Sequence, residues 1–279
     1  MPIHDQGYRR YGGTRAPRGQ AWMVITRAGV RTMLAKRAFL GLLLISWFPF
    51  FVRAVQIYAA ANLPQAQFLA PTAETFRQFL QQQSTFVFFV TVYVGAGLIA
   101  NDRRANALQI YLSKPLTRAE YVFGKLAILL TFLLLVTWVP AMVLLIVQIA
   151  FAGNFTFFMN NVFLFPAITV FSAIEVIVVS VTMLALSSLT RSTRYVAILY
   201  AAVIFFTSAI YGVLYAVTRS SSLSWISLPT DLEQVGDVIF RLPQKYDTPW
   251  PVALLVLVAV VVLSGLILER RVRGVEVVA

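Results

Sequence analysis

Few residues in this chain could do chemistry, and those few lie far apart. Glu175 is the single acid inside a long apolar run, Arg53 lies deep inside another, and His4, the only histidine, falls in a polar N-terminal tail. Cysteine is absent. A Ser-His-Asp triad, a histidine or thiolate metal cluster and paired-aspartate hydrolysis within a membrane therefore lack their materials. A nucleotide-cradling G-x-x-x-x-G-K-[ST] loop is also missing, since Gly124 and Lys125 are followed by Leu126 and Ala119 stands where the first glycine belongs. ATP-driven work would need a separate polypeptide.

What remains is buried charge. An ionised group in hydrocarbon is costly and persists where it pairs, lines a hydrated path or reaches the interface. Counted at ~1.5 Å per residue from the basic ends of their runs, Arg53 lies ~22 Å and Glu175 ~20 Å deep. Matched depth admits an ion pair. Alternatively Glu175 lines a translocation path while Arg53 snorkels outward, or a pair of this kind serves packing alone.

Helices must hold these residues. Of 279 residues, 59% are hydrophobic and 12% charged, and the mean hydropathy of +0.78 exceeds that of an ordinary soluble domain. Crossing ~30 Å of hydrocarbon takes about 20 apolar residues. Six runs qualify, near 38–60, 83–100, 122–149, 162–189, 195–217 and 250–268. The unbroken LAILLTFLLLVTWVPAMVLLIVQIAF is unlike the alternating strands of a β-barrel. The expected fold is an all-α membrane protein with residues 1–20 as a flexible basic tail, 21–37 as an interfacial helix and 38–279 as one six-span domain. On a helical wheel of 21–37, Trp22, Ile25, Gly29 and Met33 share one side, opposite Arg27 and Arg31. A helix lying along the leaflet fits that pattern, and so does an early extension of the first span.

Most of the 23 Lys and Arg fall before the first run, between the second and third, between the fourth and fifth, or after the sixth. The opposite side holds Arg77, Arg219, Arg241 and Lys245. By the positive-inside rule both termini face the cytoplasm. The net charge of +12 follows this division by side rather than a groove with stacking aromatics, so membrane lipid is an expected partner and nucleic acid is not.

Between the second and third runs lies NDRRANALQIYLSKPLTRAEYVFGKL, residues 101–126. Asp102 is placed to cap a short helix whose apolar patch is Leu108, Tyr111 and Leu112. Lys114 precedes Pro115, which ends that helix. Thr117 and Glu120 then form a T-x-x-E capping box that starts the helix of the third span. A helix only ~16 Å long cannot bury a core of its own, so bilayer, chain or partner must cover its patch. Between the last two spans, Thr230 and Glu233 read as a second capping box, with Leu232, Val235 and Ile239 on one side of a short external helix that serves as a gate or as a plain interfacial lid.

The segment YLSKPLTRAEYVFGK resembles the signature of permease subunits of type-2 ATP-binding-cassette transporters. Ser113, Lys114, Pro115, Arg118, Tyr121, Gly124 and Lys125 match it, and LALSSLTRSTR at 184–194 is a weaker second match. The similarity runs from about residue 21 to the tail and is nearest to the branch associated with maturation of copper-containing enzymes. It implies a membrane-spanning permease subunit in the cytoplasmic (inner) membrane of a prokaryote. It also implies a second permease copy, as homodimer or heterodimer, resting on separate ATPase subunits that hold the ATP and Mg. No cofactor or metal is expected on this chain itself, and export is expected over import. By the same resemblance, residues 102–113 form a coupling helix. Asp102, Arg103, Arg104, Leu108, Tyr111, Leu112, Ser113, Lys114, Pro115 and Arg118 would make up the loop that meets the ATPase. The residues alone leave two other readings: a proton-coupled carrier using Glu175, and a non-transporting membrane anchor.

Overall fold

The computed structural model describes residues 20–65, 70–107, 116–151, 159 and 161–272, and the elements among them are all helical. Six stretches are long and apolar enough to cross a membrane: Arg37–Asn62, Ala73–Arg104, Arg118–Phe151, Leu164–Leu189, Thr193–Thr218 and Trp250–Arg271. The chain is an all-helical integral membrane protein, as its composition requires.

A separate helix, α1 (Ala21–Leu34), precedes them and breaks off at Lys36, whose backbone is extended. The first span is two helices, α2 (Arg37–Ser46) and α3 (Phe48–Asn62), parted at Trp47. Pro49 causes the break, because it lacks the N–H that would bond the Ile45 carbonyl. The third span parts in the same way. Between α6 (Arg118–Val136) and α7 (Trp138–Phe151), Pro140 cannot donate to Val136, and the Thr137 hydroxyl turns back to the Leu133 carbonyl at 2.9 Å.

The second span differs most from its hydropathy reading. It begins at Ala73 rather than near 83, as α4 (Ala73–Gly95), then turns at 96–99 into the short α5 (Ala100–Arg104). Its first turns, AETFRQFLQQQS, look too polar to cross a bilayer, yet Arg77 and Gln83 are buried against other helices rather than lipid.

At the centre stands α8 (Leu164–Leu189), the fourth span, which packs against spans two, three, five and six. Its apolar and small residues circle the whole helix, and such a helix is stable only when surrounded. The fifth span, α9 (Thr193–Thr218), is its opposite: only Val196 and Tyr200 are buried within the protomer. Between α9 and the last span, α11 (Trp250–Arg271), lies α10 (Leu228–Ile239), packed on α8 and α11. Its start corrects the expected Thr230–Glu233 box. Ser227 precedes the helix and Pro229 occupies its first turn, where a missing N–H costs nothing. Thr230, already helical, bonds back to the carbonyls of Ser224 and Ser227, while the Glu233 carboxylate is taken by Gln81 and Tyr246.

Helix α1 docks along the first turns of α6. The Thr26 hydroxyl bonds the Gly124 carbonyl at 3.1 Å, and Trp22 meets Phe123 edge to face. A Cβ on Gly124 would sit 2.9 Å from Ile25 Cβ and 3.0 Å from the Trp22 carbonyl oxygen, so only glycine allows this approach. Gly124→Ala should therefore destabilise the protein by about 1–3 kcal/mol. Gly41→Ala, which meets nothing within 4 Å, should stay within about 0.5 kcal/mol of the parent. Thermal unfolding of the purified variants in detergent checks both.

Candidate functional site

At the end of the bundle that carries α5, residues of the two motif segments converge. Asp102 is not a helix cap: it lies inside α5, and its carboxylate accepts a hydrogen bond from the Tyr121 hydroxyl at 2.7 Å and pairs with Lys125 Nζ at 2.7 Å. Tyr121 and Lys125 stand one turn apart on α6, so one carboxylate takes both. The Thr117–Glu120 box forms as local chemistry dictates: Glu120 accepts from the Thr117 backbone N–H, and the Thr117 hydroxyl accepts from the Glu120 backbone N–H.

The fourth span closes the other side of this junction. Ser187, fully buried, accepts from the backbone N–H groups of Ile99 and Ala100 at 3.1 Å each and donates to the Ala96 carbonyl at 3.0 Å. Those groups belong to the turn that interrupts span two, where the helical ladder leaves them orphaned. Arg103 donates to the Ser188 carbonyl, and the Thr193 hydroxyl donates to Asn101 Oδ1 at 3.0 Å. Arg191 and Arg271 lie near enough to repel Arg103 electrostatically, which puts the end of α11 at this same face. Arg104 and Arg118 are exposed there. The chain leaves α5 through Asn106, at φ 52°, a left-handed conformation that asparagine tolerates better than most residues. Leu108, Tyr111, Leu112, Ser113, Lys114 and Pro115 lie outside the described residues.

The buried charges are arranged otherwise than the sequence suggests. Of the alternatives that matched depth left open for Arg53 and Glu175, the ion pair does not form: the two have different partners. Arg53 bonds Gln56 Oε1 at 3.1 Å and Gln78 Oε1 at 3.4 Å, reaching toward the first turns of α4. Glu175, only 2% exposed, accepts from the Ser84 hydroxyl at 2.7 Å. The nearby cation is Arg77, which the sequence reading placed in an external connection. Arg77 pairs with Asp237 of α10 at 3.3 Å, with both side chains almost wholly buried. It also donates to the Glu233 carbonyl at 3.2 Å and lies over the Phe171 ring at 4.7 Å. Gly236 makes room, because a Cβ there would be 2.5 Å from Arg77 Nε. Sequence carried one signal for this: Arg77, Gln81 and Ser84 recur at helical spacing, forming a polar stripe on one face of α4.

Around that stripe, α10 is held by polar contacts. Glu233 accepts from Gln81 and from the Tyr246 hydroxyl, and Gln234 donates to the Thr248 carbonyl at 2.8 Å. Burial pushes the Asp237 carboxyl up from its ordinary value, and the Arg77 guanidinium opposes that push. Asp231, on the same helix, is 1% exposed, neither of its carboxylate oxygens has a hydrogen-bond partner, and burial raises it from 3.8 to about 8.

Six apolar helices, an interlocked junction at one end and a buried ion pair at the other define a polytopic helical membrane protein whose two ends are joined through its second span. Residues 23–243 match the family described as ABC-2 family transporter protein, and the chain belongs to that family. It is therefore an ABC-2 type permease, the transmembrane subunit of an ABC transporter, and membership implies partnership with an ABC ATPase. A search of curated proteins returned no match.

Two outcomes follow from the buried charges. Arg77→Met leaves Asp237 without its counter-charge and should cost about 3–5 kcal/mol, whereas Arg77→Met with Asp237→Leu should recover much of that loss. Denaturation of the single and double variants in detergent measures the difference. Asp231 carries a pH signature. Its folded carboxyl holds a proton up to about pH 8 while the unfolded one releases it near 3.8, so its contribution to stability is full at low pH and is lost as pH rises through that window. Asp231→Asn should flatten this part of the profile and melt higher than the parent at alkaline pH.

Proposed function

We propose that the chain is one of two identical permease subunits through which a separate ATPase drives export across the cytoplasmic (inner) membrane of a prokaryote. The observation that carries this reading is the convergence on Asp102. The segment 108–115 has both its roots in one junction, α5 on one side and the start of α6 on the other, joined by Asp102, Tyr121 and Lys125. Ser187 and Arg103 tie that junction to the fourth span. A push delivered to the segment by the ATPase is thus shared by spans two, three and four at once.

The second span transmits the push. From α5 it runs to Arg77, whose ion pair grips α10. In alternating access, movement of the ATPase halves shifts α5, the bend at 96–99 carries the shift into α4, and α4 lifts or lowers α10 as a gate. Glu175 serves as a buried acceptor for Ser84 beside Arg77 rather than as a proton carrier, a role supported by its enclosure within the protomer. On this reading the second copy packs against α9, supported by Phe205, Phe206 and Val213 on its exposed face and by how little of its length the protomer buries. The basic junction faces the cytoplasm, with the start of α1 and the end of α11, because Lys and Arg gather there.

Capture of the ATPase tests the proposal. The purified permease should retain its ATPase and should lose it when Leu108, Tyr111 and Leu112 are all changed to Asp, with the six-span fold intact by circular dichroism. An ATPase that binds the triple variant as well as the parent, or transport by the permease alone, refutes the coupling role.

A further inference from the structure

Helix α1 presents a face that the coupling mechanism does not use. Arg27 and Arg31 are exposed, one turn apart, and neither meets a carboxylate among the described residues. The acids nearby are engaged: Glu120 with Thr117, and Asp102 with Tyr121 and Lys125. The helix contains no Asp or Glu of its own, and Lys36 and Arg37 follow it. On the same face Met23 is 49% and Leu34 40% exposed, and with Trp22 and Val30 they line an open apolar trough of about 630 Å³ along the helix.

Docking fixes the height of this face. Thr26 touches the Gly124 carbonyl, and a Cβ on Gly29 would strike Ile128, so α1 runs beside the first turns of the third span. Arg27 therefore stands near the level of Lys125, where a span leaves hydrocarbon for headgroups, and Arg31 follows one turn further along the third span. The apolar strip continues past Lys36 into Leu40 and Leu44, both exposed on the first span.

We infer that this face of α1 is a binding site for an anionic phospholipid of the surrounding leaflet. The guanidinium groups of Arg27 and Arg31 flank the lipid phosphate, and the acyl chains lie along Met23, Val30 and Leu34 toward the first span. Two forked donors about 5–6 Å apart at their Cβ atoms suit one phosphate, and long basic side chains reach a headgroup while their stems stay on apolar surface. An acidic protein surface would satisfy the arginines but would leave the apolar strip without a counterpart. A phospholipid satisfies both.

The test compares lipid retention by the full-length protein in nanodiscs of mixed phosphatidylglycerol and phosphatidylcholine, extracted into detergent and read by native mass spectrometry. Arg27→Gln with Arg31→Gln should lower retained phosphatidylglycerol about tenfold. Arg270→Gln with Arg271→Gln, an equal loss of charge at the same end, should leave it unchanged. Arg27→Lys with Arg31→Lys should retain most of the binding, and all variants should melt with the parent in lipid-free detergent. The assignment is overturned if the Arg27/Arg31 variant keeps its lipid or if both neutralised pairs lose lipid equally. It is also overturned if that variant loses the ATPase while lipid retention is unchanged, since the face would then belong to the protein partner.

Discussion

Arg77 carries its charge to a place water does not reach, and the rest of the bundle answers to that. A guanidinium at 3% exposure requires a carboxylate, and the carboxylate it finds belongs to a helix more than 150 residues further along the chain. Because neither group can be left alone at tolerable cost, α10 and α4 are bound by necessity more than by area of contact. Gly236 must stay small so that Arg77 can lie against the helix backbone, and Phe171 of the central span supplies a ring face for the rest of the cation.

The same rule organises the other end. A span that stops short in a turn at 96–99 exposes backbone donors that lipid cannot satisfy. Ser187 receives them, and that makes the fourth span a structural part of the second. Asp102 likewise converts an isolated acid into a joint between α5 and α6. The breaks in spans one and three arise differently, from Pro49 and Pro140, and they need no partner helix to explain them.

Where information is local, the sequence was legible. Long apolar runs gave six spans, and the Thr117–Glu120 box formed because its bonds close within one turn. Where a polar side chain chose among distant partners, local rules misdirected. Asp102 has the composition of a cap, yet Tyr121 and Lys125 offered it more. Glu233 has the spacing of a capping box, yet Gln81 and Tyr246 claimed it. Arg53 matched Glu175 in depth, but depth says nothing about which faces meet, and Gln56 and Gln78 were nearer. Hydropathy assigns Arg77 to a connecting loop because it treats Gln, Arg and Ser as water-seeking, whereas Arg77 and Gln83 are buried against neighbouring helices.

The second span thus has an unusual composition for a mechanical reason. A uniformly apolar helix could slide or rotate against α8 with little penalty, since one aliphatic contact replaces another. A helix that carries Arg77 at one end, Ser84 in the middle and the Ser187-bound turn at the other has a single register in which every polar group is met. In the proposed mechanism that register is what lets a displacement of α5 arrive at α10 without being absorbed on the way. On that proposal, α10 could open only along routes that keep Arg77 compensated, because Asp237 of α10 holds its charge. Polar residues in this span therefore trade hydrophobic stability for a defined linkage between its ends.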